Sequence, residues 1–122
     1  MKRPEFEPIK REDGTSEFFD FLDSLPDKDA AKLLATIKKI EEKGLLVAKS
    51  QEWVKKLDTN LFEVRAQVGS NIQRGVYFHF ENNKYMITHG FTKKTQKTPK
   101  REISRGKSIR ASFLLEKRNH HE

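Results

Sequence analysis

Residues His89 to Pro99 read HGFTKKTQKTP. Lys93, Lys94 and Lys97 alternate there with Thr92, Thr95, Gln96 and Thr98, directly after an aromatic residue, Phe91. Lysine is seldom fully buried without a partner, so this stretch is poor core material. It suits a phosphodiester backbone, which accepts charge-assisted and hydroxyl hydrogen bonds. Upstream, Arg65 and Arg74 lie on successive strand-like segments joined by a short turn, so the two can face each other. Glu63 shares the side of Arg65 by the period of two along a strand. The plainer reading of that trio is a cross-strand ion pair worth about 0.2–1 kcal/mol.

The chemistry such residues could perform is RNA cleavage. RNA carries its own nucleophile: a base deprotonates the 2′-OH, which attacks the adjacent phosphate. The protein must then neutralise a phosphorane dianion and protonate the departing 5′-oxygen. Arginine forks and lysine ammonium groups supply the charge, and aromatic rings hold a splayed base by stacking. Arg65, Arg74 and Lys93 serve the reacting phosphate in this reading. Glu63, Tyr77, Phe91, Lys94 and Lys97 line the substrate. His89 is the candidate proton carrier, although a strand histidine is more often a structural hydrogen-bonding residue. The same inventory fits RNA binding without cutting.

Neither metal nor cofactor is implied. There is no cysteine, HExxH motif or carboxylate cluster with metal-ligand spacing. A Walker loop, a GxGxxG and a GxSxG are also missing, which leaves nucleotide hydrolysis and α/β-hydrolase chemistry unsupported.

The charge distribution agrees with a polyanionic partner. Residues 1–92 carry fifteen basic and fifteen acidic side chains, whereas the ten Lys and Arg of residues 93–118 meet only Glu102 and Glu116. An acidic protein partner or a solvated helix face would fit this charge as well. The length of 122 residues suits one domain spanning the chain. No stretch approaches the roughly 18 apolar residues of a membrane span, and no apolar signal region opens the chain, so a cytoplasmic protein is expected.

The elements that must position these residues follow from spacing. Phe6–Lys10 alternates briefly, and Pro8 suits an edge strand. Thr15 or Ser16 can cap a helix bearing Phe18, Phe19, Phe21, Leu22 and Leu25. A second helix starts at Pro26, repeats Ala30, Leu33, Ile37 and Ile40 with Leu34 beside them, and stops at Gly44. Leu45–Glu52 reads as a connector and Trp53–Leu57 as extended. Leu61–Val68, Ile72–Phe80 and Tyr85–Phe91, with turns at Gly69-Ser70-Asn71 and Glu81-Asn82-Asn83, make a three-stranded meander. Alternation does not fix the face of Arg74, as in a strand covered on both sides. Thr98 as cap and Pro99 as first residue open a third helix running to about Lys117. Its thin stripe of Ile103, Ile109, Phe113 and Leu114 predicts a helix that docks loosely on its own domain or waits for a partner, and residues 119–122 are expected to fray. The class is α+β: two antiparallel helices on a mainly antiparallel sheet, with a basic C-terminal helix.

The order of segments resembles a known family. Gly14…Glu17-Phe18-Phe19…Phe21-Leu22-Asp23-Ser24-Leu25-Pro26, Lys56-Leu57…Leu61-Phe62-Glu63-Val64-Arg65, Arg74-Gly75-Val76-Tyr77-Phe78 and His89–Pro99 look like the phage-derived branch of the RelE/HigB toxins. The resemblance covers residues 6–117. It implies a compact ribonuclease fold and the toxin of a type II toxin–antitoxin pair, cleaving messenger RNA, often on the translating ribosome. The partner it implies is a helix-turn-helix antitoxin of the HigA type, through which operator DNA is contacted only indirectly. Arg65 matches the arginine ending the family's L-[WF]-E-L-R strand, Arg74 the one opening its R-x-x-Y strand, and Lys93, Lys94 and Lys97 its basic loop. The C-terminal tyrosine of better-studied members has no equivalent after Pro99. The superfamily also includes ParE, which poisons gyrase without nuclease activity, so fold alone does not separate the two.

Overall fold

The computed structural model describes residues 3–120, the His120 side chain excepted. In chain order it contains β1 (Glu5–Pro8), α1 (Glu17–Asp23), α2 (Asp27–Lys43), α3 (Leu45–Ser50), β2 (Val54–Asp58), β3 (Leu61–Val68), β4 (Asn71–Glu81), β5 (Lys84–Lys93) and α4 (Lys100–His120). The five strands form one sheet in the order β1-β5-β4-β3-β2. The meander β3-β4-β5 and the outer strand β2 are antiparallel, and β1 runs parallel to β5 at the opposite edge. This is the expected α+β architecture. Among the described residues, no helix is long and apolar enough to cross a membrane.

Both faces of the sheet are covered. On one, α1 and α2 bury Phe18, Leu22, Leu33, Ile37 and Ile40 against Val64, Ala66, Tyr77 and Ile87. Ser16 caps α1, its hydroxyl accepting from the Phe18 and Phe19 amides at 3.2 and 3.4 Å. Gly90 lets α1 lie flat on β5: a Cβ there would sit 2.3 Å from the Phe21 ring. The seam of α2 is as expected except at one place. Thr36 turns inward and Leu34 is 46% exposed.

Three sequence expectations change. Leu45–Ser50 is a short helix and not a plain connector; it seats the fully buried Ala48 beneath the start of β2. Six residues are too few for periodicity to reveal such a helix. Thr98 does not cap α4 with its side chain, which is committed to Glu63 and Arg74. The Pro99 carbonyl instead accepts from the Glu102 and Ile103 amides.

The third change is that α4 is firmly held on the other face. Ile103 and Phe113 pack on Leu61, Val76, Phe78, Met86 and Phe91. Gly106 allows close approach, since a Cβ there would be 3.0 Å from Val76 Cγ1 and 3.3 Å from Leu61. Arg105 pairs with Glu17, Lys107 with Asp58 at 2.5 Å, and Arg110 donates to the Thr59 and Asn60 carbonyls. The helix continues through Asn119 and His120, two of the residues expected to fray. The other two, residues 121 and 122, lie outside the described part.

Candidate nucleic-acid interface

Register places the candidate residues. Arg65 and Arg74 are direct partners across β3 and β4, and Phe91 is the partner of Arg74 on β5. One step along, Glu63, Val76 and His89 form a second row on the same face, and Lys93 lies opposite Ile72 at its end. The β4–β5 register shifts next to Val76, where Thr88 is the extra residue. This bulge turns Met86 and His89 to the same side, although they are three positions apart.

At the floor, Glu63 and Arg74 are fully buried. Glu63 Oε2 lies 3.0 Å from Arg65 Nε and 3.9 Å from Arg74 Nε, contacts of opposite charge without hydrogen-bond alignment. Glu63 Oε1 accepts from the Thr98 hydroxyl at 2.6 Å, and that oxygen accepts from Arg74 Nη1 at 3.2 Å. Arg74 Nη2 also donates to the Thr95 carbonyl, and Arg65 Nη2 to the Gln96 carbonyl at 2.9 Å. Two guanidiniums thus fold the lysine-bearing loop back over the sheet. Burial lowers the pKa of Arg74, opposed by Glu63, but an arginine of that starting basicity stays charged. One carboxylate against two guanidiniums leaves the floor net positive.

These positions differ in access. Arg65 keeps 15% of its side-chain surface exposed. Lys93 is half-buried, Lys94 and Lys97 are exposed, and the three make no ion pair among the described residues. Phe91 is buried with the Arg74 guanidinium 5.5 Å from its ring centre, so it supports the arginine. Glu63 orients arginines and Thr98 and has no surface of its own. Tyr77 lies on the opposite face of the sheet, packed with Phe6 and Phe62, where burial raises its pKa.

His89 is 3% exposed beneath α4. Its Nε2 meets Glu102 Oε1 at 3.2 Å, and its Nδ1 meets the Thr88 hydroxyl at 2.8 Å. Burial lowers its pKa and outweighs the pull of Glu102 in the other direction. A neutral ring donating from Nε2 to Glu102 and accepting at Nδ1 satisfies both nitrogens when the single Thr88 hydroxyl proton is turned to Nδ1 and away from the Val76 carbonyl oxygen, which lies 3.2 Å from the hydroxyl.

Two contributors escaped the sequence reading. Lys55 on β2 is the register partner of Glu63, so it shares this face, and it is exposed. The short, bulged run Val54–Asp58 gives no clean alternation that could have assigned it. Thr98 links Glu63 to Arg74, but next to Pro99 it carries the ordinary signature of a helix cap.

Lys55, Arg65 and Lys93 thus share one face of the sheet by register, and the exposed Lys94 and Lys97 belong to the loop that Arg65 and Arg74 hold against it. The family described as phage derived protein Gp49-like (DUF891) matches residues 20–111, a span that includes all these positions. The chain belongs to this Gp49-like family. It is associated with RelE-like toxins of toxin–antitoxin systems, which implies a toxin-like function and an antitoxin partner. No curated protein matches the chain.

Proposed function

We propose that this Gp49-like protein is the toxin of a type II pair, of RelE/HigB type, and an endoribonuclease that cleaves messenger RNA on the ribosome. A HigA-type helix-turn-helix antitoxin neutralises it in the cytoplasm. The observation that carries the reading is Arg65: a partly exposed guanidinium held by Glu63 and the Gln96 carbonyl, whose charge is the excess that remains once Glu63 offsets the buried Arg74. A phosphate is the natural counter-charge.

The scissile phosphate sits against Arg65 and Lys93, which stabilise the phosphorane dianion. Lys55, Lys94 and Lys97 hold the flanking phosphates. Arg74 is a positioning residue, acting through the loop it anchors. His89 positions α4 through Glu102. With His89 enclosed, proton transfer falls to two lysines on the same face, Lys55 and Lys93: one in its neutral amine form takes the 2′-OH proton, and the other, as an ammonium, gives a proton to the departing 5′-oxygen. The 2′-OH supplies the nucleophile, so the reaction needs no bound water or metal as attacking group.

A second reading, RNA binding without cutting, is favoured by the enclosure of His89 and Tyr77. It leaves no histidine or tyrosine of the candidate set on the basic surface. Product analysis decides between them. Cleavage by this route gives 5′-hydroxyl and 2′,3′-cyclic phosphate ends on an mRNA incubated with the protein and translating ribosomes. RNA that is bound but unbroken supports the second reading. Intact RNA together with inhibited supercoiling by gyrase would point to a ParE-like activity.

A further inference from the structure

We propose that a cavity on the opposite face of the sheet is a socket for one aromatic side chain from an acidic segment of a protein partner. This proposal does not rest on RNA cleavage. The cavity, of about 240 Å³, opens between α3 and the ends of β2, β4 and β5. Leu45, Val54, Phe62, Tyr77, His79 and Tyr85 form its walls. It is smaller than the roughly 300–1,000 Å³ of clefts that enclose drug-sized ligands, and suits a single side chain better.

The chemistry of its walls selects the occupant. The Phe62 and Tyr77 rings stack at 5.3 Å, Tyr77 meets Tyr85 edge-on at 6.0 Å, and His79 lies 4.9 Å from Tyr85. A guest ring therefore meets both faces and edges, the arrangements aromatic pairs prefer. Tyr77 is 2% exposed, yet its hydroxyl makes no hydrogen bond among the described residues. Burial keeps it protonated, and the hydroxyl is not one of the buried polar atoms left without a partner, so it keeps contact with solvent and is a donor that a guest can reach.

Charge selects the flanks. Lys49 and Lys56 complete the lining, both exposed, and no carboxylate lines the cavity. Neither lysine has an ion pair among the described residues. Leu46, 82% exposed, and Val47, 40% exposed, extend the apolar wall into the neighbouring cleft, where Glu42 is balanced by Arg3 and Lys43. Lys56 stands on β2, the outermost strand, along which an extended segment can run. Carboxylates on either side of an aromatic anchor match this rim.

The test is a titration of the full chain, followed by amide NMR, with the capped peptide Asp-Glu-Trp-Glu-Asp. Expected are shifts centred on Tyr77, His79 and Tyr85, lost with Asp-Glu-Ala-Glu-Asp and with Lys-Lys-Trp-Lys-Lys. The exposed pair Lys49→Glu and Lys56→Glu should weaken binding about tenfold or more with an unchanged melting temperature. Val54→Phe, which fills the cavity, should abolish the aromatic dependence. Equal binding of the alanine peptide, or shifts centred on Arg65 and Lys93, would overturn the proposal. So would an RNA oligonucleotide that moves the same resonances as strongly, since it would make the cavity a base-binding subsite.

Discussion

Arg65 and Arg74 are register partners, yet they carry different loads. Arg74 is enclosed, and its guanidinium ties Thr95 and Thr98 of the loop to Glu63. Removing it leaves a buried carboxylate facing one guanidinium and loosens the loop. Arg74→Ala should cost about 3–5 kcal/mol of stability, the range for breaking a buried ion pair from one side, read by urea unfolding. Activity lost in that variant reports the fold as much as the chemistry. Arg65→Ala should leave the urea midpoint much closer to wild type, because its side chain reaches the surface.

His89 makes a distinct prediction. Its folded pKa lies below its ordinary value near 6.5, chiefly because the ring is buried. Below that value the unfolded chain takes up a proton that the folded chain resists. The contribution to stability is thus present above about pH 6.5 and is lost as pH falls toward the folded pKa. Melting temperatures of the wild type should drop between pH 7.5 and 5.5, and His89→Asn should flatten that part of the profile. An equally steep drop in the variant would assign the dependence to other groups.

At the scale of elements, close approach of backbone decides how the helices lie. Gly90 brings β5 against Phe21, and its added Cβ would also lie 2.9 Å from the Arg74 carbonyl oxygen. Gly90→Ala forces either α1 or the strand pair to move, at about 1–3 kcal/mol as for other overpacked cores. Denaturant unfolding measures this directly, and a neutral effect would mean α1 is not seated as described. The spacing along α1 and α2 made those helices legible, and short turns made the meander legible. The facing of Arg65 and Arg74 followed from the turn between their strands. The burial of Arg74 did not, because it depends on residues 94–99 folding back from a distant part of the chain. Nor did the face of His89, which the Thr88 bulge sets, or the seating of α4, which rests on Gly106 and on ion pairs with remote elements.

Across the whole molecule, some basic side chains hold the fold together and others are left for a ligand. Arg105, Lys107 and Arg110 clamp α4 to α1 and to the β2–β3 turn. Lys107 also holds the Asp58 carboxyl below its usual range, first through its hydrogen bond. Lys55, Arg65, Lys93, Lys94 and Lys97 remain for a ligand. If about four of them neutralise phosphates, the logarithm of RNA affinity should fall with the logarithm of salt at a slope of about −3. Lys94→Ala should make that slope shallower. Lys107→Ala should leave it unchanged and lower the melting temperature.

The most direct check is to map the 5′ ends of a defined mRNA after incubation with translating ribosomes and either wild-type protein or Arg65→Ala. New ends are expected with the wild type, formed on the order of 10²–10³ times more slowly by the variant, the usual effect of removing one transition-state donor. Arg65→Ala should melt only slightly below the wild type, far above Arg74→Ala, so that the slower reaction reports the site and not the fold. Cleavage at undiminished rate by Arg65→Ala would show that the reacting phosphate lies somewhere other than at this guanidinium.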